Sequence, residues 1–382
     1  MTSPAISTEA PRPQSCSPAR RPTPARLLEI LDLARWAPSG DNRQLWRVQS
    51  VAEGAEIALC DDHLGFLDHG PAMRIALGAF GESFQLAAEN IGIPADVHFE
   101  ALGESGGRAL VSLGHRQTSS LCAARLGAVL PLRCSNRRLY QPGSCTASEL
   151  HQLGDEVSAL GSVGLSFVTD EGLDALGRTL ALGEKVRLQH EVCHRDFHSK
   201  VRWSAEEALA DPTGFWVDTF EIKKHERLFL RWTRSWGVFR ALDAVLQVAN
   251  MAAKLARRQV MKSGAVAVFS LRDQHPSSWI EVGRALQRVW LRATALGLSA
   301  QVLGVAPIFM HRMRQGGVGF SPRQQRQLTH MGERLGAIEG MPPAEDLALM
   351  LRLGRGSAPT ARAGRLPAEA LLDDMRQDGG LS

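Results

Sequence analysis

Apolar residues recur at helical spacing near the start of the chain and stop at a proline. Leu27, Ile30, Leu31 and Ala34 form one stripe within a helix expected over about residues 25–36. Thr23 is placed to cap that helix, and Pro24 suits its first position. Pro38 ends it, because the preceding Ala37 is pushed out of the α region. Four short polar side chains follow (Ser39, Asp41, Asn42, Gln44), and then Leu45-Trp46-Arg47-Val48 reads as a strand.

A second pattern occurs twice. At an offset of 205 residues, Leu77-Gly78 matches Val282-Gly283, Leu86 matches Leu291, and Ala88 matches Ala293. Gly92-Ile93 likewise matches Gly297-Leu298, and Ala95 and Val97 match Ala300 and Val302. Each copy predicts a long helix closed by a glycine and followed by a short strand. Val282, Leu286, Val289, Trp290, Ala293 and Leu296 share one helical face, with Leu77, Phe84 and Ile91 as a partial counterpart. Two equivalent helices point to two halves related by a pseudo-twofold axis.

Composition narrows the class. With 382 residues, 44% hydrophobic and 22% charged, the chain has ample material for a globular core. Its net charge of +4 is small, and much of the excess sits in the first 26 residues and between Lys223 and Lys262. A nucleic-acid partner gains little support from that balance. The longest apolar runs, such as Gly264–Phe269, are too short to span a bilayer. Cys16, Cys60, Cys122, Cys134, Cys145 and Cys193 show no Cys-x-x-Cys pairing, so free thiols and a cytoplasmic location are expected. Residues 1–24, rich in Pro, Ser, Thr and Arg, are expected to form a disordered tail, and residues 369–382 a C-terminal tail.

Three segments carry candidate chemistry. The stretch Ala37-Pro38-Ser39-Gly40-Asp41-Asn42-Arg43-Gln44-Leu45-Trp46 puts small and amide residues at a helix exit, as an N–H and C=O rich heterocycle requires; an ordinary capped loop is the plainer alternative. It resembles the flavin-ring loop of the nitroreductase superfamily, with Leu45 where that family usually has Pro. Arg133-Cys134-Ser135-Asn136-Arg137-Arg138-Leu139-Tyr140 is similar to the same family's phosphate signature. The stretch from Arg352 to Pro367, ending Arg365-Leu366-Pro367, is similar to its closing strand and phosphate-binding Arg-Leu-Pro.

The resemblance covers roughly residues 25–368 and implies an α+β nitroreductase-like fold with two related halves, each a mixed or antiparallel sheet flanked by helices. Members of that family are homodimers with flavin sites at the subunit interface. A fused chain would therefore carry a ring loop in residues 25–130 and phosphate ligands in residues 131–368, making a pseudo-dimeric monomer with one complete site. The resemblance assigns FMN phosphate to Arg133, Ser135, Arg137 and Arg365, and the ring and ribityl edge to Pro38, Ser39, Asn42 and Gln44. Ala300 and Gln301 belong to the segment whose backbone approaches the ring near N5. No single catalytic side chain is expected, since flavin performs the redox step. The implied activity is reduction of a small nitro compound or quinone by NADH or NADPH, with hydride passing through flavin N5. No Gly-x-Gly-x-x-Gly fingerprint is present, so the nicotinamide would bind transiently.

Residues 194–262 read as a helical insertion carrying Trp203, Trp216, Trp232 and Trp236. It serves as a lid over the flavin or as core between the halves; contact of Arg227, Arg231, Arg234 and Arg240 with a membrane surface is a third reading. Two other functions stay open. A sealed lid would make the chain an FMN-sequestering protein with little turnover. The stretch His190-Glu191-Val192-Cys193-His194 satisfies the helical zinc-hydrolase pattern, with His190 and His194 as ligands and Glu191 activating water. It lacks the third histidine and glycine of the longer motif, and an exposed polar stretch leading into the insertion is the alternative.

Overall fold

The computed structural model describes residues 22–60, 66, 70–103, 106–114 and 121–373. Most of both expected tails, and Cys16, lie outside those residues. Helix α1 (Pro24–Ala34) begins where the Thr23 side chain accepts the Arg26 amide, and it buries Leu27, Ile30, Leu31 and Ala34. The chain then turns tightly, with Asp41, Asn42 and Gln44 at φ of 49°, 57° and 55°. Short polar side chains tolerate that left-handed backbone better than branched ones do.

Strands β1 (Trp46–Val51) and β2 (Gly54–Leu59) form a hairpin, and helix α2 (Pro71–Asn90) leads to β3 (Ala95–Leu102) and β4 (Gly106–Leu113). The four make an antiparallel sheet in the order β1-β2-β4-β3. Its core is sealed by Trp46 stacked on Phe80, ring centroids 4.4 Å apart. Helix α3 (Leu121–Gly127) closes this first half.

The second half opens with α4 (Ala147–Asp155), held by a Thr146–Glu149 capping box, and β5 (Val163–Val168). Helices α5 (Asp170–Leu188) and α6 (Glu191–Ser199) follow. Short elements come next: β6 (Val201–Arg202), α7 (Ala205–Ala210), β7 (Phe215–Trp216), α8 (Lys224–Trp232), α9 (Trp236–Leu246) and α10 (Val248–Met261). Strand β8 (Ala265–Leu271), helix α11 (Ser278–Ala295), β9 (Ser299–Val302), α12 (Val305–Arg314), α13 (Pro322–Gly336), β10 (Leu347–Gly354) and α14 (Ala368–Leu371) complete the chain. The second sheet, order β5-β8-β10-β9, is again antiparallel. The fold is α+β.

The two sheets share one topology. In each, a long helix joins the second strand to an edge strand, and the last strand inserts between those two. The long helices α2 and α11 pack together through glycines. A Cβ on Gly78 would lie 1.9 Å from the Ile280 carbonyl oxygen, and one on Gly283 would lie 2.1 Å from that of Ile75. These contacts interchange under the 205-residue offset. Beside the crossing, the buried Glu82 of α2 receives Arg284 Nε at 2.9 Å and Arg288 Nε at 2.6 Å. Gly92 and Gly297 end the two helices at φ of 80° and 72°, where a side-chain-bearing residue would be strained.

Two expected boundaries shift. Leu371 and Leu372, expected in a tail, are buried in the first-half core, and the Asp373 amide donates to the Val48 carbonyl. The end of the insertion is also part of the body. Helix α10 packs along α5, with Gly177 bringing its backbone against the Arg257 carbonyl.

Candidate functional site

A cleft of about 1060 Å³ is lined by residues 38–42, by Arg133, Cys134, Ser135 and Arg137, by Gln301, Val302 and Gly304, and by Arg362 and Arg365. It thus unites the turn after α1 with segments that follow it by about a hundred residues and more. A backbone register holds two walls together: Ser135 bridges Ala300, and the Asn136 amide donates to the Ala300 carbonyl at 2.9 Å.

Three arginines converge at one end. Arg133 is 2% exposed, donates through Nε to the Trp36 carbonyl at 2.9 Å, and lays its guanidinium over Trp290 at 4.4 Å. Arg362 stacks on Trp36 at 3.6 Å and donates to the carbonyl of Arg133 at 2.7 Å. Arg365 donates to Asn42 Oδ1 at 2.8 Å, and its buried Nε has no partner. No carboxylate pairs with any of the three among the described residues. Burial, reinforced by Arg362 and Arg35, pushes Arg365 down to about 9, while burial and the charges of Arg365 and Arg362 lower Arg133. A concentration of positive charge without acids is unfavourable unless an anion completes it.

Arg137 also lines the cleft, donates to the Thr219 carbonyl at 3.2 Å, and lies over Phe215 and Phe220. Behind the wall, the fully buried Arg352 ties three strands of chain together. Its Nε donates to Gln301 Oε1 at 2.7 Å, and its Nη2 donates to the carbonyls of Asn136 and Arg138. Burial lowers Arg352 to about 10 despite the nearby Tyr140.

Of the residues singled out from sequence, Pro38, Ser39, Asn42, Arg133, Ser135, Arg137, Gln301 and Arg365 line the cleft. Gln44 and Ala300 do not. Gln44 is 1% exposed; its amide donates to the Pro212 carbonyl at 3.1 Å and accepts the Leu366 amide at 2.9 Å, so it pins the loop from behind. Ala300 is buried in β9 and contributes its backbone. Sequence reasoning gave no site role to Arg362, Arg352, Trp36 and Trp290, although Arg352 and Arg362 lie in the closing stretch it singled out. The arginines' aromatic and carbonyl partners come from distant segments, so their roles were not legible locally.

No protein-family model and no curated protein matches the chain. Solved structures do. An FMN- and NADPH-dependent nitroreductase from Sphigopyxis sp. strain HMH is 16% identical with a TM-score of 0.35, over 63% of this chain and 94% of that one. A nitroreductase with bound FMN from Desulfitobacterium hafniense DCB-2 is 14% identical, TM-score 0.32, over 64% and 94%. An iodotyrosine deiodinase bound to FMN and 3-iodo-L-tyrosine is 12% identical, TM-score 0.34, over 63% and 95%. The chain is similar to nitroreductase-like FMN proteins.

The insertion reaches the cleft, though not with its tryptophans. Phe197, Phe215 and Phe220 line it, packed with centroids 5.5–5.7 Å apart. Trp203 and Trp236 instead flank His198 and His194, and Trp232 is exposed. The insertion is fastened to the turn at 41–44. The Gly214 amide donates to the Asn42 carbonyl at 3.2 Å, Asn42 Nδ2 donates to the Pro212 carbonyl at 2.9 Å, and Lys200 Nζ pairs with Asp41 at 2.8 Å.

The His190-Glu191-x-x-His194 pattern forms no common site. His190 precedes α6 and caps it, accepting the Cys193 amide with Nδ1 while Nε2 meets the Gly319 carbonyl at 2.9 Å. Glu191 is paired with Arg195, and His194 sits among His198, Trp236 and Phe239. No group of three metal-binding side chains occurs among the described residues. No described helix is long and apolar enough to cross a membrane.

Proposed function

We propose that the cleft holds FMN and that the chain is a nitroreductase-like flavin oxidoreductase, using NADH or NADPH to reduce a small electron-poor acceptor such as a nitro compound or quinone. The observation that carries this reading is the convergence of Arg133, Arg362 and Arg365, none paired with a carboxylate among the described residues, on the cleft that also contains residues 38–42. A phosphate monoester supplies nearly two negative charges and three acceptor oxygens. The partnerless Nε of Arg365 is a donor of the kind it would satisfy.

On this reading Arg133, Arg362 and Arg365, with Ser135 and Arg137 beside them, hold the phosphate. Pro38, Ser39, Asn42 and Gln301 take the ring end. When bound, FMN supplies the redox chemistry, taking electrons from the nicotinamide and delivering them to the acceptor. The chain positions these groups, limits water through the aromatic wall of Phe197, Phe215 and Phe220, and keeps the site cationic. The matching sheet orders and the reciprocal Gly78 and Gly283 contacts support a fused pseudo-dimer with halves at 25–130 and 131–368, the chain end returning to the first half.

Cofactor extraction from the purified protein tests the reading: one FMN per chain is expected, and its loss in the Arg133→Ala, Arg365→Ala double variant with circular dichroism unchanged. A colourless protein with an empty extract overturns it. The bonds fastening the insertion to residues 41–44 favour a second reading, an FMN-sequestering protein with little turnover. Flavin that stays oxidised for many minutes under anaerobic NADH and NADPH would select that one.

A further inference from the structure

The cleft extends beyond the residues assigned to FMN. Its volume of about 1060 Å³ reaches the top of the roughly 300–1,000 Å³ range in which drug-sized ligands are bound. Its lining also includes the apolar and aromatic side chains Ile75, Trp279 and Ile308. A second cationic group stands there. Arg74 is 5% exposed, donates through Nη2 to the Gly103 carbonyl at 2.6 Å, and leaves its buried Nε without a partner. His311 lies edge-on to Trp279 at 5.2 Å, next to Arg312, with both lining the cleft. No carboxylate pairs with Arg74 or Arg312 among the described residues. Burial, aided by Arg314, Arg312 and Arg74, lowers His311 to about 4, so it is a neutral hydrogen-bonding group at physiological pH.

We propose that this end of the cleft is an acceptor subsite for a flat aromatic molecule bearing a carboxylate, with Arg74 holding the carboxylate beside His311 and with Trp279 and Ile75 enclosing the ring; Arg312 is engaged by the Phe66 ring and carbonyl. A guanidinium with an unfilled donor inside an apolar wall discriminates for an anion, because a neutral isostere leaves that donor unsatisfied. The subsite deepens the flavin reading by naming the acceptor class, and its binding does not depend on flavin.

Calorimetric titration with 4-nitrobenzoate and its uncharged methyl ester tests it. Wild type is expected to prefer the acid by about tenfold or more. Arg74→Gln should erase most of that preference while the ester binds as before. Equal binding of acid and ester, no binding of either, or a preference that survives Arg74→Gln overturns the proposal. A preference that disappears in Arg133→Gln instead places the carboxylate at the phosphate end and overturns it too. If displacement by NADPH proves tighter than by 4-nitrobenzoate and is lost in Arg74→Gln, the group is the nicotinamide dinucleotide's phosphate site, which also defeats the acceptor assignment. Cofactor content measured on the same samples separates any of these outcomes from failure of the flavin reading.

A different observation supports a second proposal. Helices α8–α10 expose large apolar side chains at helical spacing: Leu228 and Trp232, Val238 and Val245, Met251 and Leu255. Arg231, Arg234, Arg240 and Lys254 are exposed in the same stretch, where Glu226 is the only exposed acid between Lys224 and Met261. We infer that this surface docks on an anionic lipid bilayer, because amphipathic helices with basic flanks and an interfacial tryptophan bind there by combined burial and charge. Full-length protein should sediment with phosphatidylserine-containing vesicles, much less with phosphatidylcholine ones, and Trp232→Ser with Leu228→Ser should abolish sedimentation. Equal pelleting with both vesicles, none with either, or a dimer in light scattering that the same variant dissolves would overturn it.

Discussion

Replacing Arg133 by Met removes a buried charge while keeping most of the volume, and the two states of the protein should respond in opposite directions. In the ligand-free fold the substitution forfeits the bond from Nε to the Trp36 carbonyl, roughly 0.5–1.5 kcal/mol. It also loses the guanidinium stack on Trp290, roughly 0.5–2 kcal/mol, of which a methionine sulfur against the ring restores about 0.3–1.5. Against these stands relief of a buried charge lacking a carboxylate, a situation that destabilises by roughly 3–5 kcal/mol. Relief matches or outweighs the two losses, so the ligand-free protein should gain about 0–5 kcal/mol, or roughly 0–6 °C in Tm for a chain of this size. FMN binding should weaken about ten- to 150-fold through loss of a charge-assisted contact. Scanning calorimetry of FMN-stripped wild type and variant in phosphate-free buffer reads the first effect. Titration with FMN, and with inorganic phosphate as a smaller probe, reads the second, since a ligand raises Tm by mass action. A variant with lower ligand-free Tm and unchanged FMN affinity would make Arg133 a structural prop, and the anion-site reasoning would be refuted.

Other perturbations follow from the same contacts. Gly283→Leu places a Cβ 2.1 Å from the Ile75 carbonyl oxygen, so α2 and α11 must separate; denaturant unfolding should show a loss of more than about 3 kcal/mol or insoluble protein, and a neutral result would disprove the close crossing. Lys200→Ala breaks the ion pair to Asp41 and should speed FMN release about five- to tenfold in a dilution assay while leaving phosphate-induced stabilisation intact; an unchanged rate would mean the insertion does not gate the cleft. Burial and His194 lower His198 to about 4, below the 6.5 of the unfolded chain, so unfolding takes up a proton between those values. Stability contributed by neutral His198 is therefore present above about pH 6.5 and lost as pH falls towards 4, by at most about 3 kcal/mol. His198→Gln should flatten the acid limb of stability against pH by about one proton, and an unaltered slope would contradict it.

The features legible in the sequence were those fixed by neighbours a few residues away. The α1 stripe, the Thr23 cap, the Pro38 stop and the glycine ends of α2 and α11 all express helical spacing or left-handed backbone, and each is set by residues within one or two turns. The cleft itself depends on closure over long distances. Gln44 looks like a ligand group from its own surroundings, yet its carbonyl oxygen meets Leu366, 322 residues on, and that contact turns it into a brace. Arg362 looks like one more surface arginine until Trp36 is brought beneath it. The insertion has elements too short for periodicity to say which aromatics face inward, and the fold chose Phe197, Phe215 and Phe220 over the tryptophans. A polar or aromatic residue in a loop announces that it needs a partner, but only the completed fold determines whether that partner is carbonyl, ring or ligand. Arg133, Arg365 and Arg74 matter for that reason: after the fold has closed, each buries charge that no acid among the described residues neutralises, and that residual demand is what points outward to a ligand.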